Sequence, residues 1–89
     1  MKRLTNKNNG ETNLPEANLV EAMLRLAAFE DIYEELAESL ASTPAELEKL
    51  KAAGKEKTVR YRERFGQKLM NQTIVALFER HGISFDDEK

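Results

Sequence analysis

Apolar residues in the first two thirds of the chain recur at alternating spacings of three and four positions. Such a heptad stripe is typical of a helix that lies against another helix along its length, so the pattern predicts an all-α fold. No stretch alternates with a period of two, and we therefore predict no strands. The stripe comprises Leu19, Ala22, Leu26, Phe29, Tyr33, Leu36, Leu40, Thr43, Leu47 and Leu50.

The sequence near Pro44 allows two structures: one long helix, or a break that starts a new helix. Thr43 and Glu46 have the spacing of a capping box, and Pro44 suits the first position of a helix, which together indicate a new helix and a compact three-helix bundle. The heptad stays in phase across the same residues, which favours one long, kinked helix over residues 15–53. We expect the kinked helix.

A shorter second helix is expected to fold back antiparallel on the first. Gly54 has the character of a left-handed C-terminal cap, and Thr58 that of the next N-cap. The second helix would end at Gly82 and Ile83 in a Schellman motif. The predicted fold is a coiled-coil-like helical hairpin. The expected boundaries are a disordered tail at residues 1–13, a helical hairpin domain at 14–83 and a frayed acidic tail at 84–89.

The unequal lengths of the two helices predict a dimer. At roughly 1.5 Å per residue, residues 15–53 span about 57 Å and residues 58–81 about 35 Å. The beginning of the first helix is then left uncovered, although its side chains are apolar in nearly every direction. Two copies could pack these ends together or against each other's last helix, completing a helical bundle. The residues expected at this self-association surface are Leu19, Val20, Met23, Leu24, Leu26 and Phe29.

The second helix carries an apolar arc over about half of its circumference, whereas a helix with one partner shows an arc of about 100°. We therefore expect this helix to contact two neighbours. Gly66 and Thr73 lie near the centre of the arc, where they would let another helix approach closely. The arc comprises Phe65, Ala76, Leu69, Thr73, Gly66, Val59, Leu77, Met70 and Ile74.

The net charge of -2 conceals a strong separation of charge along the chain. Residues 11–48 hold ten acidic residues and the single base Arg25, whereas residues 49–68 hold eight basic and two acidic residues. Either an acidic and a basic helix complement each other, or the basic segment binds a polyanion such as nucleic acid. The residues expected to form this basic stripe, opposite the apolar arc, are Lys57, Arg60, Arg64 and Lys68.

The sequence holds no pattern typical of a catalytic or metal site. It has no cysteine and a single histidine, His81, and it lacks a nucleophile–base pair and a phosphate-binding glycine loop. Glu30, Glu34 and Glu38 recur every four residues but have no Glu-x-x-His partner, so they indicate a solvated acidic face. We expect no enzymatic activity, no cofactor and no metal.

The apolar runs are shorter than the roughly 20 residues that cross a bilayer, and a polar tract follows residues 1–4 in place of a signal-peptide core. We therefore expect a cytoplasmic chain without a membrane partner. The primary hypothesis is a non-enzymatic interaction module that forms a homodimer or, as an adaptor, holds a helical peptide or protein beside residues 19–29. The alternative is a nucleic-acid-associated accessory protein that uses the basic stripe.

Residues 66–78, GQKLMNQTIVALF, resemble the helix-turn-helix of phage-repressor-type DNA-binding domains. Gly66 and Val75 stand where that family has a small residue and an aliphatic residue. The resemblance implies a turn at residues 70–71, where this chain has Met-Asn in place of the family's usual glycine. The residues that would then face bases are Gln72 and Thr73.

Residues 50–82 also resemble a group of short helical-hairpin proteins of unassigned function from Gram-positive bacteria. The likeness rests on the segment AGKEKTVRYRE and on the ending LFERHGI. It implies a helical hairpin and a cytoplasmic setting.

Overall fold

The structure, a computed structural model, describes residues 1–85. Two helices form most of this part: α1 spans Leu19–Ala52 and α2 spans Val59–Arg80. The expected hairpin of a long and a shorter helix is confirmed, with a small two-stranded sheet in addition. The elements that precede α1 are β1 (Asn6–Asn8), β2 (Glu11–Asn13) and a 3₁₀ turn (Glu16–Asn18).

The first compact unit, Met1–Tyr33, begins with a β-hairpin. β1 and β2 pair antiparallel, with Asn8 opposite Glu11. Asn9 and Gly10 connect the strands with φ angles of 51° and 81°, the positive values that a type I′ turn requires. The prediction of no strands is therefore wrong. The sheet lies in residues for which the sequence predicts a disordered tail, because the Asn-Gly turn organises strands too short and too exposed to show an apolar alternation.

The segment before the hairpin lies along the beginning of α1 within this unit. The side-chain amide of Asn18 donates a hydrogen bond of 3.0 Å to the carbonyl oxygen of Leu4. The guanidinium of Arg25 donates to the carbonyl oxygen of Lys2. Residues 1–5 thus cover one side of the first turns of α1, and the half-buried Ala22 lies on that side.

α1 is continuous through Pro44, so the alternative of one long helix is confirmed and the break at Thr43 with its three-helix bundle is wrong. Proline lacks the N–H that would bond to the carbonyl of Leu40, which costs one hydrogen bond but does not end this helix. Thr43 is buried at 3 % exposure instead of standing free as a cap. For Thr43, the position in the heptad stripe is therefore a better guide to the structure than the capping-box spacing.

The second compact unit begins at Glu34 and contains the packed part of the hairpin. Leu36 and Leu47 are the buried apolar residues of the described chain, and Leu40 and Leu50 are half-buried beside them. These are successive members of the predicted stripe, so its second half does form the surface against which α2 packs.

The ends of both helices match the sequence signals. Gly54 and Gly82 have φ angles of 73° and 86°, and the next residue after each donates to a carbonyl five positions back, which is the Schellman pattern. The hydroxyl of Thr58 accepts from the backbone N–H of Tyr61 at 3.2 Å, as an N-cap does.

Of the frayed tail predicted at residues 84–89, residues 86–89 lie outside the described residues. Phe85 is described, and its ring stacks on that of Phe78 with centroids 5.6 Å apart. Among the described residues, neither helix combines the length and apolar character needed to cross a membrane.

Candidate interaction surfaces

The beginning of α1 exposes a patch of large apolar side chains. Five of the six residues predicted for self-association are 47–69 % exposed, and we call these five the α1 patch. The sixth, Phe29, is half-buried, with its ring centroid 6.4 Å from that of Tyr33. The covering by residues 1–5 therefore leaves most of the predicted surface open. The α1 patch comprises Leu19, Val20, Met23, Leu24 and Leu26.

α2 packs on α1 through the side that is less apolar. The residues buried or half-buried along α2 recur at heptad spacing, and we call them the inner side of α2. Two contacts fix the antiparallel direction: the amide of Asn71 bonds to Ser39, and the guanidinium of Arg60 forms an ion pair with Glu46. The inner side comprises Tyr61, Arg64, Gln67, Lys68, Asn71, Ile74, Val75 and Phe78.

A polar network lies at the centre of this helix–helix contact. Asn71, 2 % exposed, donates from Nδ2 to the hydroxyl of Ser39 at 2.9 Å and accepts at Oδ1 from the amide of Gln67 at 2.8 Å. The hydroxyls of Ser39 and Thr43 lie 3.2 Å apart. A buried amide that is satisfied at a single alignment fixes the register of two helices. The sequence analysis did not predict this role of Asn71. Thr43, a polar residue within the heptad stripe, was a signal that the contact includes polar groups.

The opposite side of α2 is apolar and exposed. Its four large residues are 44–61 % exposed, and we call this surface the outer side of α2. A Cβ placed on Gly66 would meet nothing within 4 Å, so the close approach predicted there is not made within the described chain. Of the predicted arc, Ile74 is half-buried and the rest is exposed. The outer side comprises Val59, Gly66, Leu69, Met70, Thr73 and Leu77.

The predicted polyanion-binding residues have different surroundings. Lys57 is exposed, and Arg60 is paired with Glu46. Arg64 is half-buried, and its Nε is buried without a hydrogen-bond partner in the described structure. Lys68 is also half-buried, with Nζ 6.0 Å from the centroid of the Phe65 ring. Arg64 and Lys68 therefore lie on the side of α2 that packs on α1, whereas Lys57 and Arg60 are exposed.

The helix-turn-helix interpretation is wrong. α2 runs without interruption through residues 70–71, where the resemblance requires a turn. Met70 and Thr73 are exposed, while Asn71 is buried against α1. Good helix formers on both sides of this dipeptide, and the absence of glycine there, explain why the helix continues.

The carboxylates of α1 lie on its surface. Glu30, Asp31, Glu34, Glu35 and Glu38 are all exposed, as expected of a solvated acidic face. Within residues 1–85, no group of three or more His, Cys, Asp or Glu residues is arranged to hold a metal ion. The acidic face thus supplies charge to the surface next to the α1 patch.

A cavity of about 230 Å³ lies beside the helix contact in the second unit. Its floor is formed by Pro44 and Leu47 of α1, and its walls include Tyr61, Phe65 and Lys68 of α2. Ligand sites generally measure about 300–1,000 Å³. This cavity is therefore smaller than a typical ligand site, and the exposed surfaces of the unit are the more extensive features.

Comparison with protein-family models, with curated proteins and with solved structures finds no match for this chain.

Proposed function

We propose that the chain is a non-enzymatic, cytoplasmic self-association module that forms a homodimer with a coiled-coil-like helical bundle. The observation that carries this proposal is the α1 patch, in which five large apolar residues within eight positions are about half exposed or more. Single exposed apolar residues are ordinary on a protein surface, but a contiguous group of them marks an interaction site.

The position of the charged groups supports an interaction module over an enzyme. The carboxylates of α1 are exposed to solvent and do not converge on an enclosed site. A binding surface needs no such convergence, because apolar burial supplies its affinity and the surrounding charges supply its specificity. The absence of cysteine suits a reducing compartment such as the cytoplasm.

The basic stripe supports the same proposal over binding of nucleic acid. Phosphate contacts need cations that are free to face the backbone of the polyanion. Arg60 is engaged with Glu46, and Arg64 and Lys68 are half-buried. The pair between Arg60 and Glu46 supports the first of the two interpretations of the charge separation, in which acidic and basic segments complement each other.

Sedimentation velocity over a dilution series tests the proposal. The wild-type chain is expected to sediment as a dimer at high micromolar concentration and to dissociate on dilution. Met23→Asp should shift the dissociation constant by roughly tenfold or more, because it places a charge in the centre of the α1 patch.

Ser42→Asp is the matched control, since Ser42 is an exposed polar residue of the same helix. It should leave the dissociation constant unchanged, and circular dichroism should show the same helix content for all three proteins. A wild-type chain that stays monomeric over the whole series would contradict the proposal.

A further inference from the structure

The outer side of α2 has no cover within the described chain, and its composition differs from that of the inner side. Leu69, Met70 and Leu77 are 44–59 % exposed, whereas Asn71 on the inner side is 2 % exposed. A surface helix normally turns its apolar side inward. α2 turns a mixed polar and apolar side inward and leaves most of its apolar arc exposed, so that arc is available to another molecule.

We infer that the outer side of α2 binds the α1 patch of a second copy of this chain, and that the second copy's α2 binds the α1 patch of the first. This inference rests on the proposed self-association and names the surface that meets the α1 patch. Reciprocal contacts of this kind give a closed dimer with two equivalent interfaces.

The exposed areas favour the use of both surfaces. The α1 patch offers five large apolar residues that are 47–69 % exposed, and the outer side of α2 offers four that are 44–61 % exposed. A stable interface takes about 800 Å² from each partner. Neither surface reaches this size by itself, so a stable dimer needs both.

The charges around the two surfaces favour packing of an α1 patch on the outer side of α2 over packing of two α1 patches together. The α1 patch is followed along the same side of the helix by the exposed acids Glu30 and Asp31. The outer side of α2 has the exposed Arg62 and Glu63 near its beginning and the exposed Arg80 at its end. Two α1 patches packed in parallel would oppose acid to acid, whereas an α1 patch packed in parallel on α2 brings its acids towards Arg80.

The centre of the outer side is also shaped for a helix. Gly66 has open space where its Cβ would be, and the short side chain of Thr73 is bonded back to the carbonyl of Leu69 at 3.2 Å. Small residues one heptad apart let two helix axes approach closely. This shape agrees with the apolar and electrostatic arguments for a helical partner.

Mixing two complementary variants tests the inference. Met23→Asp alters the α1 patch and Met70→Asp alters the outer side of α2, so each variant alone should dimerise roughly tenfold or more weakly than wild type. A heterodimer of the two retains one interface in which both surfaces are intact. The equimolar mixture should therefore associate more tightly than either variant alone in sedimentation velocity.

Two results would overturn the inference while leaving self-association intact. One is a dissociation constant for Met70→Asp equal to that of wild type; the other is a mixture that associates no more tightly than its components. A wild-type chain that is monomeric would instead defeat the proposed function itself.

A charge variant covers the case in which Met70→Asp fails to fold. Arg62→Glu combined with Arg80→Glu changes exposed residues only and should weaken the dimer several-fold, with a smaller loss at high salt. Lys7→Glu combined with Lys55→Glu is the control with the same charge change at exposed positions away from both surfaces. Equal dimer affinities for the two double variants would contradict the inference.

Discussion

The inner side of α2 mixes polar and apolar residues, whereas the outer side is mostly apolar and exposed, although a helix in a monomer normally exposes its polar side. The inner side meets α1 with Asn71, Lys68 and Arg64, while the outer side presents Leu69 and Met70 to solvent. Polar contacts with a unique geometry align the two helices within one chain. In the proposed dimer, apolar burial would be divided between the fold of one copy and its association with another.

The largest effect on folding is expected at the apolar residues beneath α2. Leu47→Ala should lower the free energy of unfolding by about 2–4 kcal/mol, because Leu47 is buried and its removal leaves a cavity. The measurement is urea denaturation at a protein concentration low enough to keep the chain monomeric.

Leu24→Ala is the matched control, since it makes the same change at a side chain that is 67 % exposed. It should cost less than about 1 kcal/mol under those conditions. Equal losses for the two variants would mean that the α1 patch is already covered within the monomer.

The next effect is expected at the polar network of the inner side. Asn71→Ala should cost about 1–3 kcal/mol, because Gln67 and Ser39 each lose a buried hydrogen-bond partner. Gln72→Ala, at the exposed neighbouring position, should stay within about 0.5 kcal/mol of wild type. Urea denaturation compares them, and a loss for Asn71→Ala no larger than that for Gln72→Ala would show that the network does not stabilise the hairpin.

The smallest effects concern two glycines that differ in backbone conformation. Gly66→Ala should raise the stability of the monomer by about 0.5–1 kcal/mol, because the site is an exposed helix interior with free space. Gly54→Ala should lower it by about 1 kcal/mol, because φ is 73° there. Thermal denaturation compares the stability of each variant with that of wild type. A lower stability of Gly66→Ala at low protein concentration would contradict an exposed outer side of α2.

Much of α1 is predictable from the sequence because helix packing repeats every seven residues. The in-phase heptad correctly predicts that α1 passes through Pro44 and that Leu36 and Leu47 are buried. Local signals at Gly54 and Thr58 are equally direct, since a cap depends on only a few neighbouring residues.

The orientation of α2 is not predictable in the same way. Hydrophobicity identifies the apolar side of a helix but not the molecule that covers it. Here Asn71 and Arg60 of α2 contact the polar residues Ser39 and Glu46 of α1. With α2 in this orientation, most of its apolar arc faces outward. The β-hairpin escaped prediction for a different reason: its signal is the single dipeptide at residues 9–10, without any apolar alternation around it.

The most direct test of the account is paramagnetic relaxation between copies in solution. The chain has no cysteine, so Ala28→Cys provides one site for a spin label at the edge of the α1 patch. Labelled chains are mixed with ¹⁵N-labelled wild-type chains at a concentration that favours the dimer. The account predicts broadening of the ¹⁵N amide signals of Gly66, Met70 and Thr73; broadening confined to residues of α1, or none at all, would contradict it.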